Sequence, residues 1–246
     1  VGLRHQTLGI NSGSGLRQAI RIFHTTLETC AQAEGVVVVV DVLRAFTTSA
    51  VAFHRGAQEI VLVSTVEEAF QLRQQYPEIL LMGEIDGYPV EGFDLSNSPA
   101  EIDELDLNNR CMALRTTAGT QGIVRATQAR HLYAASLCNA NATASSIAAL
   151  NPAFVTFVNT GVRAKGGGEE DIACSDYIAS LLQQRALGPS EIRQRVLESK
   201  AAAKFTPGDD SGFSRADLEQ ALQFNRFPFA MKVTGTERGL TLRPYQ

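Results

Sequence analysis

Five consecutive valines occupy positions 36–40 and lead straight into Asp41-Val42-Leu43-Arg44-Ala45-Phe46-Thr47-Thr48-Ser49. An unbroken β-branched run of this length has no polar face to offer water. It reads as a strand buried on both sides, the state of parallel strands in a sheet covered by helices on each face. In such sheets ligands bind beyond the carboxyl ends of the strands. The valine run delivers a carboxylate, Asp41, and a guanidinium, Arg44, to such an end.

The pattern recurs along the chain. Apolar runs predict strands at 19–24, 36–40, 60–63, 79–82, 111–114, 131–135 and 154–158, and amphipathic stretches predict helices at 46–54, 66–75, 120–129, 142–150 and 171–184. A helix-rich stretch, 190–204 and 215–224, flanks a polar turn at 206–212, and 229–233 with 240–242 reads as a closing hairpin. The alternation predicts an α/β fold, a three-layer α/β/α arrangement around a mostly parallel or mixed sheet. Residues 1–18 form a Gly/Ser-rich leading segment and 19–246 one domain. Laying Arg44 over Arg115 also lays helix 46–54 over 117–125, which suggests an internal duplication with halves near 36–105 and 107–188. Asp41 then falls opposite Met112, so the second half lacks the acid.

Size and charge remove several classes. The chain has 246 residues, 44% apolar and 20% charged, enough for one sizeable core. A net charge of -4 gives neither a nucleic-acid footprint nor a polybasic membrane patch. Asp41 ends the valine run long before it could cross a bilayer, and the expected location is the cytoplasm. Cys30, Cys111, Cys138 and Cys174 form no C-x-x-C pair, so four buried thiols are expected rather than a zinc site or a redox dithiol. The four histidines show no ligand spacing; His24, at the end of an early strand, is the one of interest.

Three loops could carry chemistry. Segment 83–99 has three glycines, two prolines and four acids, Glu84, Asp86, Glu91 and Asp94, and follows a strand; Glu84 is the best placed. Within it, Ser98-Pro99-Ala100-Glu101 fits a helix N-terminus with proline at the first position. Next, Leu114-Arg115-Thr116-Thr117-Ala118-Gly119-Thr120 repeats strand, hydroxyls, glycine and helix start, a pattern suited to a phosphate-like anion, without Walker spacing. Last, 161–171 places Arg163 and Lys165 on a glycine-rich loop ahead of Glu169, Glu170 and Asp171. These acids either complement a helix dipole or hold a divalent ion; Mg2+ would suit because it takes one or two carboxylates and keeps waters. Asn139 and Asn159 at strand ends could orient a ligand.

Taken in order, Asp41-Val42-Leu43-Arg44-Ala45, Gly83-Glu84, the run from Glu91 through Asp94 and Asn97 to Pro99, Thr116-Thr117-Ala118-Gly119-Thr120, and Glu170-Asp171 ahead of Cys174 resemble the motifs of the 2-phosphosulfolactate phosphatase (ComB-like) family. The resemblance spans 36–182. It implies a layered α/β/α fold and a Mg2+-dependent hydrolase that releases phosphate from 2-phospho-3-sulfolactate, a step toward coenzyme M. It implies a small anionic phosphoester as partner, and a homodimer is a reasonable expectation. The chain departs from the family at Ala118, where asparagine is usual, at Ile85-Asp86, where arginine and glycine are usual, and at Arg115, where threonine is commoner.

On this resemblance Mg2+ goes to Asp41 with Glu84, Glu170 and Asp171 as further ligands. Arg44, Arg115, Thr116, Thr117, Gly119 and Thr120 hold phosphoryl oxygens, Asn97 and Asn139 assist binding, and Arg163 or Lys165 receives the sulfonate. Glu84 or Asp94 serves as general base. Water is the preferred nucleophile, with a phosphorylated Asp41 as the alternative, since neither a D-x-D pattern nor a C-x5-R loop is present. A phosphatase for another small organophosphate and a non-catalytic binder of a phosphorylated metabolite are the rival readings.

Overall fold

The computed structural model describes residues 19–164, 166–185, 187–205 and 212–246; residues 1–18, Lys165, Ala186 and residues 206–211, within the stretch where the sequence predicts a polar turn, lie outside them. The first half of the chain runs β1 (Arg21–Thr25), β2 (Gly35–Val40), α1 (Ala45–His54), β3 (Glu59–Leu62), α2 (Val66–Gln75), β4 (Leu80–Ile85), β5 (Tyr88–Pro89), β6 (Leu95–Ser96) and α3 (Pro99–Asp103). The second half runs β7 (Cys111–Arg115), α4 (Gly119–Arg125), β8 (Ala129–Ala135), α5 (Ala140–Ala149), β9 (Phe154–Asn159), α6 (Glu169–Leu182), α7 (Pro189–Leu197), α8 (Arg215–Ala221), β10 (Ala230–Thr236) and β11 (Gly239–Tyr245).

The strands make one mixed sheet in the order β1-β9-β2-β8-β10-β11-β3-β7-β4, with β5 and β6 both on β4. Helices cover both faces, so the chain is an α/β protein with the layered α/β/α build expected. The valine run explains its own strand. Val37 and Val39 join a core with Phe46, Ala50 and Val51 of α1, while Val36, Val38 and Val40 join a second core with residues of α5, α6 and α7. A third, smaller core lies between the outer face of β3, β4 and β7 and α2, through Ala69 and Leu72.

The first block, β1, β9, β2 and β8, is parallel, and so is the second, β3, β7 and β4. The hairpin β10–β11 pairs antiparallel to both, so by hydrogen-bond sense the blocks oppose each other. In a flat sheet their carboxyl ends would face opposite ways. Five strand-to-strand steps separate β2 from β7, and at a usual twist of about 20–25° each they accumulate roughly 100–125°. The inner faces of both blocks also share one core around α1. Twist and shared core together bring the turn after β2 against the turn after β7. The units β2–α1–β3 and β7–α4–β8 moreover exchange strands, with β2 on β8 and β3 on β7.

Three sequence expectations change. The strand expected at 79–82 continues through Gly83 and Glu84 to Ile85, because β4 pairs with β7 as far as Gly83↔Arg115. The long loop 83–99 therefore contains the end of β4 as well as β5 and β6. The helix expected at 120–129 is shorter: α4 ends at Arg125, and pairing with β2 claims Ala129 for β8. The hairpin expected to close the fold instead sits in the middle of the sheet. Ser98 caps α3 as its sequence indicated, accepting the Glu101 amide at 3.2 Å.

Candidate active site

Asp41 stands at the end of β2, and its Oδ1 accepts the amide of Ala45 at 3.1 Å. The start of α4 abuts the same carboxylate. A Cβ on Gly119 would lie 2.7 Å from Ala45 Cβ and 2.8 Å from Asp41 Oδ2, so only glycine lets these two turns meet. The opposite wall comes from β9 and α6. Asp171 accepts the Val42 amide with Oδ1 at 2.9 Å and the Gly161 amide with Oδ2 at 2.7 Å, which ties the turns after β2 and β9 to the first turn of α6. Glu84 closes the third side: Oε1 accepts the Thr117 amide at 2.6 Å, and Oε2 accepts the Gly87 amide and the Thr117 hydroxyl.

A cavity of about 480 Å³ opens where these turns converge, and Asp41, Arg44, Glu84, Asn97, Thr117, Arg163 and Glu170 all line it. Arg44 is buried. Its guanidinium donates to Asp217 of α8 at 2.7 Å, to the Gly212 carbonyl at 2.8 Å and to the Gly87 carbonyl at 3.0 Å, and lies 5.0 Å from the Phe213 ring centre. Most of its donors thus position protein rather than face the cavity. Two buried polar atoms among the lining side chains have no protein partner, Asn97 Oδ1 and Glu170 Oε2.

Burial and mutual repulsion govern the carboxylates. Burial pushes Asp41 up to about 6, the Ala45 and Gly119 amides oppose that rise, and the Glu84 charge adds to it. Burial likewise pushes Glu170 up to about 7, with the Asp41 charge adding to the rise. Asp171 is raised well above the usual carboxylate range by burial and by Glu170 and Asp41, despite its two amide donors. Burial is the first cause in all three, and the charges of neighbouring carboxylates add to it.

Several sequence-predicted residues do not reach the cavity. Asp94 is paired with Arg73 and accepts the Leu81 amide at 2.7 Å, so its carboxylate serves strand β4 and not the site. Thr116 and Thr120 bond to each other's backbone at the start of α4. Arg115 donates to the Glu84 carbonyl at 2.7 Å and buttresses the wall from behind. Asn139 closes a capping box with Ser136, accepting its amide at 3.0 Å. Gly119 acts by its lack of a side chain, and Lys165 lies outside the described residues. His24 accepts from or donates to Asn159 at 3.2 Å, away from this cavity.

The family model described as 2-phosphosulpholactate phosphatase matches residues 23–226. A probable 2-phosphosulfolactate phosphatase of Bacillus subtilis is 33% identical over 199 residues, 80% of this chain and 86% of that protein. One from Carboxydothermus hydrogenoformans is 42% identical, covering 71% of each chain. The chain belongs to the 2-phosphosulfolactate phosphatase family.

For this family of phosphoric monoester hydrolases, a Mg2+ site is a matter of donor chemistry. Among the described residues no three His, Cys, Asp or Glu side chains already form a ligand cluster. Asp41 and Glu170 nonetheless fit a hard cation: both line the cavity, the Asp41 charge raises the proton affinity of Glu170, and Glu170 Oε2 is a buried oxygen without a partner. Two carboxylates with water completing the shell suit Mg2+. Glu84 and Asp171 fit less well, because amide and hydroxyl donors already occupy both oxygens of each.

Sequence reasoning missed four residues of this 2-phosphosulfolactate phosphatase family member. Lys200, Lys204 and Phe213 line the cavity, and Asp217 anchors Arg44. A signal for the lysines was present: the chain has four, and Lys165, Lys200 and Lys204 are three of them. Asp217 carries no local signal, since its partner lies 173 residues away.

Proposed function

We propose that the chain is a Mg2+-dependent phosphatase that hydrolyses 2-phosphosulfolactate to sulfolactate and phosphate, on the route to coenzyme M. The observation that carries this reading is the meeting, in one cavity, of two buried carboxylates of raised proton affinity, Asp41 and Glu170, with a set of cations from other turns. Asp41 and Glu170 hold the ion, which when bound supplies neutralisation of phosphoryl charge and polarisation of the ester. Arg163 and the amide of Asn97 face the phosphoryl oxygens. Arg44, fixed by Asp217, sets the position of the wall they share.

Monoester hydrolysis proceeds through a loose transition state and asks for positioning and charge stabilisation more than for a strong base. That suits a cavity in which Asp94 is turned away and Glu84 is saturated by donors. Water attacks phosphorus in line, the ester P–O bond breaks, and the leaving oxygen takes up a proton to give the free alcohol. A phosphatase for a different small organophosphate is the second reading, favoured by one observation: Asp86 and Ala118, two departures from the residues usual in the family, both line the cavity. The cysteines are free thiols, consistent with a reducing compartment, and we assign the enzyme to the cytoplasm. Among the described residues no helix is long and apolar enough to cross a membrane.

The test is phosphate release from a panel of small phosphoesters with and without MgCl2, repeated with Asp41→Asn. The expected result is Mg2+-dependent turnover, greatest for 2-phosphosulfolactate, and a loss of at least about a hundredfold in the variant. Full turnover by Asp41→Asn removes the metal assignment. Turnover of no ester by the parent chain favours a binding protein.

A further inference from the structure

The stretch that follows α7 brings two lysines to the cavity, Lys200 and Lys204, and no established property of the site uses them. Both are exposed, and their surroundings differ from those of the arginines held in ion pairs. Arg44 has Asp217, Arg73 has Asp94, Arg195 has Asp176, Arg226 has Asp103, and Arg238 and Arg243 share Glu59. Among the described residues, neither lysine has a carboxylate within 4.0 Å of its ammonium group, the limit within which those pairs fall.

Lys204 is instead held by an aromatic face. Its Nζ lies 5.5 Å from the centre of the Phe213 ring, and Arg44 approaches the same ring at 5.0 Å. A cation–π contact orients an ammonium group while leaving its N–H donors free, which an ion pair with a carboxylate would not do. Lys200 lies over the glycine loop: a Cβ on Gly166 would stand 2.7 Å from its Nζ. Both lysines line the cavity that Asp41 and Glu170 also line, so an anion entering it meets cations from this stretch.

We propose that Lys200 and Lys204 form a second anion subsite that receives the sulfonate of the substrate and so set specificity for phosphoesters carrying a second strong anion. The inference rests on the phosphatase reading for its substrate, yet it can fail separately. The ammonium groups act as mobile point charges on long stems, which suits a sulfonate with three equivalent oxygens better than a planar fork would.

Two measurements on the full chain test it. Calorimetric titration of sulfolactate, which lacks the phosphoryl group, reads the subsite without turnover. The parent is expected to bind it, and Lys200→Met with Lys204→Met to bind at least tenfold more weakly, with Lys204→Arg recovering part of the loss. Steady-state rates then compare 2-phosphosulfolactate with 2-phospholactate, which lacks the sulfonate. The double variant is expected to lose at least tenfold of the preference between them, chiefly through KM. Equal sulfolactate binding by parent and double variant overturns the subsite, as does an equal fall for both esters. Binding of sulfolactate that depends on the lysines, in a chain that turns over no ester, upholds the subsite and overturns the phosphatase reading.

Discussion

Removing the Asp217 carboxylate should destabilise the chain by about 3 kcal/mol, because it strands a guanidinium in the interior. Asp217 is fully buried and Arg44 is 5% exposed. The carboxylate accepts from Arg44 at 2.7 Å, from the Ser98 hydroxyl at 2.6 Å and from the Ala100 amide at 3.1 Å. Deleting one partner of a buried pair costs about 3–5 kcal/mol. The low end applies here, since the carbonyls of Gly212 and Gly87 and the rings of Phe205 and Phe213 still attend the cation. For a chain of this length about 2–4 °C of Tm accompanies each kcal/mol, so Asp217→Ala should melt roughly 6–12 °C lower.

Urea unfolding followed by circular dichroism gives the free energy, and a double-mutant cycle with Arg44→Met isolates the pair. The expected coupling is at least about 2 kcal/mol, with the double variant recovering much of the single-variant loss because no charge is left unpaired. Asp217→Asn retains acceptor and donor capacity but not charge, and should fall between parent and Asp217→Ala. A change under about 0.5 kcal/mol for Asp217→Ala, or strictly additive single effects, would refute the claim that this pair fixes the wall of the cavity.

Two further predictions concern the carboxylates. Asp41 and Glu170 have raised proton affinities in the folded chain, so their contribution to stability is complete at low pH and is lost as pH rises through about 6 and about 7. Because Mg2+ favours their ionised forms, 10 mM MgCl2 should raise Tm clearly at pH 8 and little at pH 5; an equal rise at both pH values would count against the pair as ligands. Asp94→Ala should leave kcat within about twofold, because its carboxylate serves Arg73 and the Leu81 amide instead of the cavity, and should reduce stability by about 1 kcal/mol. A hundredfold fall in kcat with an unchanged fold would restore Asp94 as a general base.

The parts legible in the sequence were those written in local pattern. Five valines can be satisfied only by apolar neighbours on both faces, and the structure supplies α1 on one side and α5, α6 and α7 on the other. Ser98 ahead of Pro99 specified its helix start for equally local reasons. Reading failed where one residue type can serve two purposes. A threonine-rich turn can hold phosphate or cap a helix, and Thr116 and Thr120 bond to each other's backbone while Thr117 alone lines the cavity. An acid in a loop can act as base or pair with an arginine, and Asp94 found Arg73 across 21 residues.

What no local pattern could supply is the hand of the whole sheet. Two parallel blocks joined through an antiparallel hairpin ought to carry their ligand-binding ends in opposite directions. Only accumulated twist and a core shared around α1 return β7 toward β2. Gly119 marks that closure, since its missing side chain is the space the two turns need, with any Cβ there 2.8 Å from Asp41 Oδ2. The site is therefore a property of long-range geometry: its acids end strands or begin helices of different blocks, and two of its cations, Lys200 and Lys204, arrive from a stretch beyond α7. Among the residues that sequence motifs missed, Asp217 shows this most directly: its partner Arg44 stands 173 residues earlier and becomes its neighbour only once the chain has folded.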